Sequence, residues 1–215
     1  MFQLKSIALT LLLACITLTN LTGCETVGFI AQGFTSEPPP INVTAEYFGL
    51  QNQTVAVLVN TDRNILLRYP QAPLEVGAAL SNDLAAHVPG VRMVDPRQCY
   101  EYQVRNIYWP TDRASNIARQ LGVTRLIIVE LNEYRTTEPG NNTIYQGQVS
   151  TAVYVAETDG PNPDDFVYET ISQVTYPKEP VPVPDVQEVT IRKGMLDRFA
   201  ASVGRRFYDH TQERQ

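Results

Sequence analysis

Residues 53–208 predict an α/β fold with a mixed sheet, and three observations carry that expectation. "TVAVLVN" at 54–60 and "RLIIVEL" at 125–131 are continuous apolar runs rich in β-branched residues, the pattern of strands covered on both faces. Apolar residues at helical spacing stand between them. Beyond residue 140 the pattern changes to alternation, which suits an antiparallel hairpin with one face buried.

The elements follow in order. After the first run, "RNILLRYPQAP" at 63–73 reads as a loop at a strand's carboxyl end. Over 73–88, Val76, Leu80, Leu84 and Val88 recur every four residues, and Pro73 fits a first helical turn. A Pro-Gly turn leads to a short strand at 91–95. "CYEYQVRNIYWP" at 99–110 reads as loop-rich, with Cys99 near a strand end and at most a weak strand over 100–108. Residues 111–122 predict a helix: Thr111 or Asp112 caps it, Ala114, Ile117, Ala118 and Leu121 make its stripe, and Gly122 ends it. The order strand, helix, strand, helix, strand implies three parallel strands joined by right-handed crossovers.

The hairpin is expected from 144–158 and 165–177 around the turn "DGPNPDD". On one face of its first strand stand Tyr145, Gly147, Val149, Thr151, Val153 and Val155; Phe166, Tyr168, Thr170, Ser172, Val174 and Tyr176 share a face of the second. These faces are expected to pack under a helix; a membrane-spanning hairpin is the other reading, since the strands exceed roughly ten residues. "PKEPVPVPD" at 177–185 reads as a connector without regular structure. Asp185 and Glu188 have the spacing of a capping box. The final helix runs to about Tyr208 on a stripe of Leu196, Phe199, Ala200, Val203 and Phe207.

The amino terminus is different in kind. Residues 1–23 carry one charge, Lys5, and a twelve-residue apolar run from Ile7 to Leu18. A membrane-spanning helix needs roughly 20 apolar residues, so the run suits a signal peptide. It ends at Leu21-Thr22-Gly23-Cys24, which resembles the bacterial lipobox. That resemblance implies cleavage before Cys24, a diacylglyceryl group on its sulfur and a further acyl chain, such as palmitate, on its amine. Cys24 is then the lipidation site and holds the protein on a membrane. Glu25, where an Asp would retain such a protein at the inner membrane, implies the outer membrane, with the domain in the periplasm. Residues 24–52 read as a lipidated tether stiffened by Pro38, Pro39 and Pro40, and 209–215 as a polar tail. Phe29, Ile30, Phe34, Tyr47 and Phe48 are the tether residues suited to docking on the domain or on a partner.

With 17 basic and 23 acidic residues, the chain has no basic stripe for nucleic acid. Loss of 1–23 removes only Lys5, leaving 16 basic against 23 acidic. Three cysteines, at 15, 24 and 99, leave Cys99 alone after processing, so neither an internal disulfide nor a multi-cysteine metal site is expected. The sequence carries no Gly-rich phosphate loop, no His-Glu helix and no Gly-x-Ser-x-Gly elbow, and His87 and His210 are far apart. Glu157, Asp159, Asp164 and Asp165 cluster at the turn but lack a calcium loop's spacing. Glu130 and Glu133 flank the end of the second apolar run without a second catalytic group. No enzyme activity, no cofactor and no metal are expected. Interface aromatics are the better candidates: Tyr100, Tyr102, Tyr108 and Trp109 with Arg105, and Tyr69 with Ile65, Leu66 and Leu67.

Residues 53–208 also resemble a group of periplasmic lipoproteins. The group contains the curli-secretion channel lipoprotein, the lipoprotein activators of penicillin-binding proteins and the amino-terminal domain of the Tol-system propeller protein. "ARQLGVTRLIIVELNEY" at 118–134, a helix, a glycine and a hydrophobic strand, is the most similar stretch. The resemblance implies a non-enzymatic domain that binds an envelope protein or its own copies, or that serves as a subunit of an export assembly. A small-ligand binder or enzyme of the periplasm is the remaining alternative.

Overall fold

The computed structural model describes residues 40–212. The expected signal peptide, Cys24 and most of the tether lie outside the described residues. Residues 42–210 form one compact unit.

The described residues begin with β1 (Ile41–Val43), enter the strand β2 (Thr54–Thr61) and continue through α1 (Arg63–Arg68), α2 (Ala72–His87) and β3 (Arg92–Met93). Next come α3 (Pro96–Arg105), a 3-10 turn at Trp109–Thr111 and α4 (Ala114–Leu121). Three long strands follow: β4 (Arg125–Thr137), β5 (Ile144–Glu157) and β6 (Phe166–Pro182). A 3-10 turn at Val183–Asp185, α5 (Glu188–Gly204) and β7 (His210–Gln212) complete the order. The main sheet has the order β3-β2-β4-β5-β6. β2 is parallel to β3 and β4, and β5 is antiparallel to both β4 and β6. The mixed α/β class, the parallel core and the hairpin are therefore as the sequence predicts. β1 and β7 form a two-stranded sheet of their own.

Several boundaries differ from the expectation. Residues 63–68 are helical rather than loop, because Asp62 Oδ1 accepts the Ile65 N–H at 2.8 Å and caps a first turn. Residues 96–105 are helical rather than loop or weak strand. Asp95 accepts the Arg97 N–H at 2.8 Å, and Pro96 takes the first turn, where its missing N–H costs nothing. The 177–182 connector is strand: Val181 pairs with Tyr145 and Pro182 with Ile144. Its prolines are tolerated because β6 is an edge strand, with no neighbour on its outer side among the described residues to receive their missing N–H groups. Asp185 does not cap α5, which starts after Gln187 without a side-chain cap and ends at Gly204, short of Tyr208. Gly122 does end α4, in the left-handed conformation at φ 69°.

Two cores lie on opposite faces of the sheet. On the first face α2 and α5 cover β2, β4, β5 and β6, and Leu80, Leu84, Phe199 and Phe207 are fully buried there. Val149, Val153 and Val155 of β5 point into this core, so the hairpin face packs under a helix. A Cβ at Gly194 would come within 2.2 Å of the Tyr176 ring, so a glycine lets α5 lie down on β6. On the second face α3 and α4 pack Cys99, Ile117 and Ala118 against Ala56, Leu58 and Leu126. Each large apolar side chain buried in this way contributes about 1.5–3 kcal/mol.

The last part of the expected tether is docked on the domain. Ala45 and Leu50 are buried. Tyr47 stacks on Tyr168 and meets Phe207 edge-on. Arg125, the first residue of β4, donates to the Gly49 carbonyl at 2.9 Å and pairs with Asp159. The Tyr47 hydroxyl donates to Glu157 at 2.6 Å, while Glu46 takes Arg206 and the Tyr168 hydroxyl. The acidic turn thus has structural occupations: Glu157 and Asp159 hold this segment, and Asp164 accepts the Ser115 N–H in the first turn of α4 at 3.0 Å.

An apolar groove at the carboxyl end of β2

The two segments singled out by their aromatics converge in space. α1 and the start of α2 form one wall of a groove, and α3 with the following turn forms the other. Their floor is the carboxyl end of β2, at Val59, Asn60 and Thr61. The groove encloses about 360 Å³, and Leu66, Pro73, Tyr100, Val104 and Ile107 line it. A second hollow of about 530 Å³ lies on the other side of Ile107 and Trp109, between Tyr102, Arg105, Tyr108 and Asp112.

The walls are placed by one polar contact. β3 pairs with β2 only at Thr54 and Val55, which leaves the outer edge of β2 open beyond them. α3 runs along that edge, and the Gln103 amide closes it: Nε2 donates to the Val59 carbonyl at 2.7 Å and Oε1 accepts the Val59 N–H at 3.4 Å. A primary amide is a peptide group in miniature, so it substitutes for the missing strand. Cys99, one turn earlier, anchors the helix in the second core, and burial pushes its thiol up to about 11 against the pull of a hydrogen bond at the Val57 backbone. A thiol so placed is a packing group rather than a nucleophile.

The expected interface residues divide. Trp109 is only 6% exposed and belongs to the second core, so its ring supports the groove from below. Tyr100 and Tyr102 are half-buried on α3, and burial, with Asp112 nearby, raises the Tyr102 hydroxyl above its usual range. Tyr108 stands 77% exposed. Tyr69 lies on the far side of α1, edge-on to the Tyr134 ring at 5.1 Å, and its hydroxyl accepts the Thr136 N–H at 3.3 Å. It therefore belongs to a neighbouring hollow with Asn64, Leu67 and Arg68. Val104 and Ile107 were not among the aromatic candidates, yet they are 59% and 71% exposed and supply the groove's apolar rim.

The histidines and the Glu130–Glu133 pair lie elsewhere. His87 stacks on Tyr208 at the opposite end of α2 and contacts the Asp83 carbonyl at 2.9 Å. Glu133 holds Arg135 at 2.8 Å, while a register shift in β4 separates it from Glu130. Among the described residues no three His, Cys, Asp or Glu side chains are placed to hold a metal ion, and no helix is long and apolar enough to cross a membrane. The groove thus offers apolar side chains, hydroxyls and amides.

No family model and no curated protein matches the chain. Solved structures with a similar fold include the PelC dodecamer from Paraburkholderia phytofirmans, at 10% identity over 77% of this chain and 96% of that one, with a TM-score of 0.46. Lipoprotein GNA1162 from Neisseria meningitidis is similar at 14% identity over 70% and 94% of the two chains, with a TM-score of 0.39. The LpoB C-terminal domain from Salmonella enterica is similar at 13% identity over 61% and 84%, with a TM-score of 0.27. Bacterial lipoproteins are thus among the proteins whose fold this domain resembles.

Proposed function

We propose that the protein is a non-enzymatic lipoprotein of the cell envelope, anchored in the outer membrane through Cys24, whose domain captures another periplasmic protein in the groove at the end of β2. The observation that carries this reading is the exposed apolar rim of Leu66, Val104, Ile107 and Tyr108 over a pre-formed hollow. Apolar side chains gathered in this way on a folded domain mark an interaction site. Its position fits the anchoring. Residues 45–50 join the domain at the amino ends of the parallel strands, where Arg125 holds them, and the groove lies at the other end of the eight-residue β2. That separation is about 25 Å at the usual rise per strand residue. The groove therefore faces away from the end at which the tether enters and towards soluble partners.

The test uses the full chain in cells. A photoreactive amino acid at Ile107 is expected to give one discrete protein adduct, absent when the probe is placed at exposed Lys193. Val104→Asp combined with Ile107→Asp is expected to abolish capture while the protein remains in the outer membrane. Mass spectrometry of the same sample is expected to show a cleaved and triacylated Cys24. Equal crosslinking from Ile107 and Lys193 would remove the groove from the proposal, and an unmodified Cys24 would remove the anchor.

A further inference from the structure

The two edges of the main sheet are finished differently. One is closed by the short β3 and then by the Gln103 amide on Val59. The other is β6, and among the described residues no strand pairs with its outer side. Folded proteins commonly protect such an edge with prolines, charges, bulges or a covering element. β6 has Pro177, Pro180 and Pro182 in its second part, and a register slip opposite Val155 and Ala156 that leaves Val167 over at its start. Between these lies Tyr168–Tyr176, in unbroken register with β5, free of proline and with Glu169 as its one charge. Ile171 in the middle of the run is 70% exposed.

We propose that β6 pairs antiparallel with β6 of a second copy about a two-fold axis through Ile171, so that the two five-stranded sheets become one of ten strands. The run is self-complementary in this register. Ile171 opposes its own copy, Thr170 opposes Ser172, Glu169 opposes Gln173 and Tyr168 opposes Val174. The only charged side chain therefore meets a neutral amide donor instead of a like charge, which is what a stable cross-strand pair requires. Opposed residues in an antiparallel pair share a face. Buried Val174 and half-buried Tyr168 thus stay on the face under α5, while the two exposed isoleucines meet on the other face. Each copy has one such edge, so a two-fold pairing closes at the dimer and leaves no edge to propagate.

Sedimentation equilibrium of the full chain in density-matched detergent tests this. The wild type is expected to be a dimer. Ile171→Lys places two ammonium groups on the axis and is expected to weaken the dimer at least about tenfold, because like charges directly opposite are destabilising. Its melting temperature as a monomer is expected to be unchanged, since the side chain already stands in solvent. Under mild oxidation Ile171→Cys is expected to yield a disulfide-linked dimer, and Glu169→Cys, whose partner is Gln173, is not. A monomeric wild type, a dimer indifferent to Ile171→Lys, or preferential linkage through Glu169→Cys would each overturn the proposal. In the monomeric case, slow amide exchange along β6 would assign the edge to residues of the chain ahead of Pro40.

Discussion

The two faces of the sheet divide stability from contact. On the first, α2 and α5 lie over most of the sheet and bury Leu80, Leu84, Phe199 and Phe207 completely. On the second, α3 and α4 cover β2, part of β4 and Ala156 of β5, while the outward residues of β6 remain open, with Phe166 against half-buried Tyr154 at 5.0 Å and Ile171 in solvent. The groove rim stands at the edge of this second layer. The same sheet thus has a closely covered side, where a lost side chain leaves a cavity, and a more open side, where exposed apolar groups are retained at little cost to the fold.

The sharpest way to break this comparison is to truncate a side chain on each side and measure unfolding by urea. Phe199→Ala is expected to cost about 3–5 kcal/mol, because it leaves a cavity between α5 and the sheet. Val104→Ala on the groove rim is expected to stay within about 0.5 kcal/mol. Similar costs for the two would erase the distinction. Next in size is Gln103→Ala, expected to cost about 1–3 kcal/mol because it strips the Val59 carbonyl of its partner. Gln173→Ala, on the open edge, is expected to leave unfolding of the monomer almost unchanged.

A pH dependence also belongs to the first face. Burial first, and then the carboxylates of Glu157, Glu75, Glu46 and Asp83, raise the hydroxyls of Tyr47, Tyr134, Tyr168 and Tyr208, with Tyr168 pushed up to about 12. In the unfolded chain these groups ionise near 10. Above that pH the unfolded state has released protons that the folded state still holds, so stability is full below about 10 and falls as the pH rises towards 12. Urea midpoints measured at pH 8 and pH 11 are expected to show the loss. Tyr134→Phe is expected to reduce it, because it removes one of the four ionising groups.

How much of this was legible in the sequence depends on where each element takes its stability. The runs at 54–60 and 125–131 are buried on both faces and announce themselves by composition. Gly122 announces the end of α4 by the backbone conformation that only glycine adopts freely. α3 is harder to read because it buries little beyond Cys99, and its polar face turns to solvent. Its real signal is Asp95-Pro96, a cap followed by a first-turn proline. The end of β6 was hidden by its prolines, which mark an edge strand there and not a break. Both walls of the groove were visible as segments, but their meeting was not. It depends on α3 lying along the open edge of β2, held by one glutamine whose role no periodicity encodes. Trp109 shows the converse: an interface-type residue that tertiary packing draws into the core.

The segment at residues 45–50 has a mechanical consequence. The Ala45 N–H is held by Asp209 at 2.9 Å, and the Glu46 and Tyr47 N–H groups by the Arg206 carbonyl at 2.8 and 3.0 Å. Tension applied to the chain ahead of residue 42 is delivered to the stretch just beyond α5 before it reaches any strand of the main sheet. That load path runs into the layer of α2 and α5 and bypasses α3. A pull on the chain ahead of residue 42 is thus expected to load this layer before the groove at the other end of the sheet.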